Sequence, residues 1–415
     1  MRNTNKPSYT TQRKMKRKTF LITAIACPAL LFAQGNNTGM GGNDGERKSL
    51  AQRVLKLEKK SDAFQVYFNS ASGFQEVDDG EHWSSAFKNK QARLEIKGNI
   101  TDKLSYRFRH RLNKGNAAQS EDNFAKATDI LMVGYQLTPK VGVQFGKMCQ
   151  NWGGFEFDEN PIYIYQFSDM VDNMDNFMAG INLSFKPIPT QEIAINITDA
   201  YNNKFADEYG EGALSLEANG TRTLEKSNHP LTYIALWSGS FFGDKLQTRW
   251  SYGLQTQAKH KYSRMVMLGQ KLNLPTFQWY LDYMGAFDGL DRLRIASNEA
   301  AGYLEGNQAD YFSDVHYNSF ITKVNWQFAP QWNAMVKGSY ETASVTKDET
   351  FKDYRKSMMY VASIEYYPVK EQDFRVFLAY IGRHYDYSEK VASLGLKDYN
   401  TNRIEIGFIS RLKVF

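Results

Sequence analysis

Gln91-Ala-Arg-Leu-Glu-Ile-Lys-Gly98, followed shortly by Leu104-Ser-Tyr-Arg-Phe-Arg-His-Arg-Leu112, reads with a period of two. Ala92, Leu94, Ile96 and Gly98 alternate with Gln91, Arg93, Glu95 and Lys97. Leu104, Tyr106, Phe108 and Leu112 alternate with Ser105, Arg107, Arg109 and Arg111. Successive side chains of a strand point to opposite faces, so each segment carries one apolar and one charged face. That is the pattern of a strand set between lipid and a wet interior.

The same alternation runs from Phe64 to the end of the chain. It recurs at Val141–Phe145, Ala179–Phe185, Ile193–Ile197, Leu246–Leu254, Phe277–Tyr283, Phe320–Phe328, Trp332–Tyr340, Tyr360–Tyr366, Phe374–Tyr380 and Ile404–Val414. Sixteen strand candidates result, with weak phase near 128–137, 230–239 and 264–272. Segments of about ten alternating residues suffice for a tilted strand to cross a membrane. Seven connections are short (99–103, 138–140, 186–190, 240–245, 273–275, 329–331 and 368–372). They alternate with eight that are mostly long (75–86, 113–127, 149–175, 200–229, 257–263, 286–318, 343–356 and 386–400). Tight periplasmic turns and long outer loops alternate in this way in an outer-membrane barrel, and an even strand number leaves no open edge. The expected fold is an all-β, transmembrane, antiparallel up-and-down barrel of about sixteen strands over 63–415, with both termini in the periplasm. Phe415 supplies a terminal aromatic of the kind used in outer-membrane assembly. Lys413 and Arg411 share its parity, which suggests a bulge near the end.

Composition agrees. Mean hydropathy is low, −0.54, yet 14% of residues are aromatic. Disorder does not tolerate that aromatic content, and two cysteines make no disulfide scaffold. The one long apolar run, Phe20–Ala33, follows Lys14, Lys16, Arg17 and Lys18 and reads as a secretory signal over 1–33, with a start at Met1 or Met15. A lipoprotein reading would use Cys27 instead. Seven of the 51 basic residues lie in 1–33, leaving 44 against 45 acidic residues in the mature chain, net −1. That balance gives no support for nucleic-acid binding. Residues 34–45 read as a Gly/Asn-rich tether and 46–62 as a short periplasmic helix. Leu50, Val54 and Leu57 on that helix serve either a small coiled coil between subunits or a cap on the barrel base.

Four stretches, in order and spacing, carry a resemblance. They are Phe87-Lys-Asn-Lys-Gln-Ala-Arg-Leu-Glu-Ile-Lys-Gly98 running through Asp102-Lys-Leu-Ser-Tyr-Arg-Phe-Arg109; Val143-Gln-Phe-Gly-Lys147 leading to Gly153-Gly154-Phe155; Asp169-Met-Val-Asp-Asn-Met-Asp175 before Gly180; and Ile364-Glu-Tyr-Tyr-Pro368 before Phe374-Arg-Val-Phe-Leu-Ala-Tyr380. Over Phe64–Phe415 the chain resembles the phosphate-selective porin O and P family in its Bacteroidetes-type outer-membrane form. The resemblance implies a sixteen-stranded passive porin, usually a homotrimer, with its third outer loop folded into the lumen; here that loop is 149–175. Where the family often carries Pro after the Val143–Lys147 strand, Cys149-Gln150-Asn151 stands instead.

On the polar parity of the strands, thirteen basic residues stand against five acidic ones: Arg93, Lys97, Arg107, Arg109, Arg111, Arg249, Lys323, Lys337, Arg375, Arg383, Arg403, Arg411 and Lys413 against Glu95, Asp282, Glu341, Glu365 and Glu405. A basic lumen concentrates anions and speeds their entry. The first nine of these are the candidate pore-lining residues. Arg107, Arg109 and Arg111 form the sharpest feature, three guanidiniums on one face at steps of ~6.8 Å. Guanidinium matches phosphate and carboxylate bidentately. If loop 149–175 enters the lumen, Glu156, Asp158, Glu159, Asp169, Asp172 and Asp175 are expected to face this arginine wall across a constriction. No histidine or cysteine spacing suits a metal, no phosphate loop precedes a helix, and Asp314-Val315-His316 near Ser319 is only a faint echo of a barrel hydrolase. The expectation is a non-enzymatic channel for small, mainly anionic solutes, without cofactor. Its partners are outer-membrane lipid, the outer-membrane assembly machinery and copies of itself. The long outer loops leave a second reading open, an adhesin or a partner of a secretion or surface machine.

Overall fold

The computed structural model describes residues 63–116, 121–369 and 373–415. The signal, tether and helix read at 1–33, 34–45 and 46–62 lie outside the described residues. The strands are β1 (Gln65–Asp78), β2 (Trp83–Asn99), β3 (Leu104–Arg111), β4 (Thr128–Thr138), β5 (Val141–Cys149), β6 (Phe177–Ile188), β7 (Gln191–Asp199), β8 (Leu214–Glu217), β9 (Gly220–Thr223), β10 (Leu231–Phe241), β11 (Leu246–Ala258), β12 (Lys261–Asn273), β13 (Phe277–Asp288), β14 (Tyr311–Phe312), β15 (Val315–Ala329), β16 (Trp332–Val345), β17 (Arg355–Val369), β18 (Asp373–Tyr387) and β19 (Tyr399–Lys413). All but β8, β9 and β14 form one closed barrel of sixteen strands, each paired antiparallel with its neighbours. β1 closes onto β19 in unbroken register from Tyr67↔Lys413 to Asp78↔Asn402, so no strand edge faces lipid.

The period-two pattern sorts the faces as the sequence implies. Along β17, Met358, Tyr360 and Ile364 are exposed outward while Met359, Val361 and Glu365 are buried inward. Near the turn at 330–331, the rings of Trp326 and Phe328 lie 5.7 Å apart and those of Trp332 and Tyr366 4.8 Å apart, both tilted, an outward aromatic band at the short-turn end.

Two connections expected to be long are tight. β1 and β2 run on to Asp78 and from Trp83, leaving only 79–82 between them. There Asp79 accepts the N–H groups of Glu81 and His82, and Gly80 takes a positive φ. β11 and β12 are joined by Lys259-His260 alone, with His260 left-handed. The expected terminal bulge is also absent. Regular pairing stops at Lys413, the N–H groups of Val414 and Phe415 both reach Val66 O, and the Phe415 ring lies 5.9 Å from that of Phe64.

The long outer connections fold on one another. β14 pairs parallel with β8, and β8 antiparallel with β9, so 200–230 and 289–314 share a small sheet. Beneath it Tyr201, Tyr209, Leu224, Leu290 and Tyr311 are buried together.

Candidate functional site

Connection 150–176 enters the barrel, and its path follows from glycine and from buried acids. Gly153 and Gly154 sit at φ 75° and 73°, conformations open to glycine, and turn the chain inward after Trp152. Trp152 is buried against Gly253, where a Cβ would collide with the indole ring. The N–H groups of Phe155 and Glu156 then donate to Asp282 on β13, each at 2.7 Å. Further on, the N–H groups of Asp169 and Met170 donate to Glu341 on β16, at 2.8 and 3.2 Å. Two barrel carboxylates therefore receive N–H groups at the starts of two single-turn helices, Phe155–Asp158 and Asp169–Asp172, which would otherwise be orphaned.

Side chains fasten the rest. Glu156 pairs with Lys337 and Glu159 with Lys323. Asp158 lies 3.2 Å from Arg249. Asp169 is clamped between Arg355 at 2.7 Å and Arg383 at 2.5 Å. Tyr163 donates to Asp373, and Tyr165 to Glu365 at 2.7 Å. Arg375 binds Glu365 at 3.1 Å and lies over the Tyr163 ring. Four of the loop acids expected to oppose the arginine ladder, Glu156, Asp158, Glu159 and Asp169, thus take their partners on the far wall, β11–β18. Lys323, Lys337, Arg375 and Arg249 hold the loop. Of these loop acids, Asp158, Glu159, Asp172 and Asp175 also border the space left open; Glu156 and Asp169 do not.

That space is a cavity of about 570 Å³ between the loop and β2–β5. Arg93, Arg107, Arg109 and Arg111 line one side of it, joined by Lys114, Lys126 and Lys147; Lys97 does not reach it, and its ammonium lies over the Tyr67 ring. Arg107 is paired with Glu95 through Nε at 2.9 Å and Nη2 at 2.8 Å. Arg111 Nε donates to both oxygens of Asp129, at 2.7 and 2.9 Å. Arg109 Nε and Arg93 Nη1 stand 3.3 and 3.7 Å from the same carboxylate. The Arg109 and Arg111 guanidiniums cover the face of Phe177, at 5.0 and 5.8 Å. Lys147 is 3.0 Å from Asp122, whereas Lys114 and Lys126 form no ion pair among the described residues.

Across the cavity, Asp172 accepts from Gln166 and Asp175 from Asn202, each at 2.9 Å. Burial raises Asp172 above the ordinary carboxylate range, with Arg383 opposing the shift. Burial also pushes Asp158 up to about 6 despite Arg249. Sequence reading missed Asp129, Lys114, Lys126, Lys147 and Arg355. Asp129 sits in the weakly phased β4, Lys147 and Arg355 stand near strand ends where alternation fades, and Lys114 and Lys126 lie in the connection between β3 and β4, which has no alternation to assign a face.

A family model described as phosphate-selective porin O and P matches residues 64–412. No curated protein sequence matches the chain. Among solved structures, the chain is similar to the outer-membrane channel DcaP of Acinetobacter baumannii, at TM-score 0.57 and 10% identity over 86% of this chain and 99% of that one. It is similar to in-vitro folded OmpT of Vibrio cholerae in its trimer form, at TM-score 0.53 and 11% identity over 84% and 100%. It is also similar to an anion-selective porin from Comamonas acidovorans, at TM-score 0.52 and 8% identity over 84% and 99%.

Proposed function

The chain belongs to the phosphate-selective porin O and P family and is an outer-membrane channel, and from that premise we propose that it passes small anions in preference to cations. The observation that carries this reading is the uneven charge of β2–β5. Arg93, Arg109 and Arg111, with Lys114 and Lys126 nearby, face one cavity with a single wall carboxylate, Asp129, among them. Such a wall concentrates anions, and guanidinium geometry suits phosphate and carboxylate oxygens. The opposing Asp172 and Asp175 make the field transverse and moderate the preference. The acting unit is a homotrimer with the short turns and both termini in the periplasm. The trimer form of OmpT supports that assembly, and the alternation of short and long connections supports that orientation.

Conductance of the purified protein in a planar bilayer tests the reading. Stepwise openings with a zero-current potential on the anion side support it, and cation selectivity overturns it. Silence at every voltage would favour the non-transport reading suggested by the long outer loops.

A further inference from the structure

Three guanidiniums on the cavity wall form ion pairs with one carboxylate, Asp129, and the chain makes a local irregularity to supply it. Arg93 and Arg111 are directly opposite one another on β2 and β3, a like-charge pair that is unfavourable without a counter-ion. Between β3 and β4 the register passes from Arg109↔Ile130 to His110↔Thr128, so Asp129 is an extra, unpaired residue. A bulge re-aims a side chain, and here it turns Asp129 inward beside the arginines. One carboxylate has too few lone-pair positions for all their donors. Arg111 takes the good geometry, while Arg93 Nε and Nη1 and Arg109 Nε are buried and make no hydrogen bond.

We propose that Asp129 is a resident competitor in the arginine site, a tethered carboxylate with which every passing oxyanion, carboxylate or phosphate-like, exchanges for Arg93, Arg109 and Arg111. The inference rests on the channel reading and deepens it by naming the residue that sets how tightly the site holds an anion. Conduction needs sites that are favourable enough to enter and weak enough to leave. A vacant cluster of three buried guanidiniums would hold an oxyanion and slow its exit. Asp129 occupies the cluster between transits and takes it back as the anion leaves. Phe177 stacks under Arg109 and Arg111 and keeps their planes fixed during the exchange.

The test compares wild type with Asp129→Asn, which keeps the shape and removes the charge, in planar bilayers with chloride and with inorganic phosphate. At an effective dielectric near 20 and ~15 Å, losing that charge raises the anion/cation permeability ratio about fivefold. The phosphate concentration that half-saturates the current falls, and the limiting current falls with it because release slows. Asp129→Glu restores the wild-type saturation curve. If Asp129→Asn does not assemble, Asp129→Ser, which also removes the charge, replaces it, and the same fall in half-saturating phosphate concentration is expected. A conducting wild type with unchanged selectivity and saturation in the variant overturns the inference and leaves the channel reading intact. A silent wild type overturns the channel reading itself.

Discussion

The two sides of the lumen are both rich in buried cations, yet they do different work. On β11–β18, the cations that hold the inserted loop have their own buried acids. Lys337 has Glu156, Lys323 has Glu159, Arg375 has Glu365, Arg383 has Asp169, and Arg355 has Glu299 besides Asp169. Those charges cancel locally and act as fasteners. On β2–β4, three arginines share Asp129 and their field reaches the cavity. Counting lysines and arginines along a strand does not distinguish these cases. How many carboxylates reach each cation does.

Opening a fastener should have the strongest consequence. Asp169→Ala leaves Arg383 buried without a carboxylate and Arg355 with Glu299 alone, a loss of about 3–5 kcal/mol. The loop should detach and the single-channel conductance should rise, with a lower midpoint for heat-induced unfolding in detergent. Unchanged conductance would mean that the loop is held elsewhere. Packing gives a smaller effect. Gly253→Val sets a Cβ into the Trp152 ring, and overpacking of this kind costs about 1–3 kcal/mol. A lowered unfolding midpoint with normal ion selectivity would separate loop seating from the arginine wall.

The gentlest probe is pH. Asp158 loses its charge as pH falls through about 6, well above the ordinary carboxylate range. Arg249 then loses its partner and the cavity gains net positive charge. Between pH 7 and 5 the anion preference should therefore rise, and Asp158→Asn should show the raised preference at both values. A preference that falls over this interval would contradict the pairing.

Much of the barrel is legible because alternation is a local property. Residues 91–98 and 104–112 state their own faces, and the closing β1–β19 pair follows from an even strand count. The tight 79–82 turn was less legible because Ser84, Ser85 and Lys88 on β2 carry no apolar alternation to mark the strand. Asp129 was hidden for a physical reason: a bulge breaks the very period used to assign faces. The fasteners were hidden because their partners are remote in sequence. Glu156 and Lys337 are 181 residues apart, and only the fold brings them together.

The proposed preference for anions is set by the β2–β3 arginines. Replacing Arg107, Arg109 and Arg111 together by Gln removes three positive charges, each worth about 1 kcal/mol to an anion ~15 Å away at an effective dielectric near 20. The direct measurement is the reversal potential across a potassium chloride gradient, wild type against the triple variant, with assembly checked on unheated gels. The expected result is an anion-side potential in wild type that moves toward cations in the variant by well over the fivefold expected for a single charge, with a smaller change in conductance. An unchanged reversal potential in a fully assembled variant would contradict it.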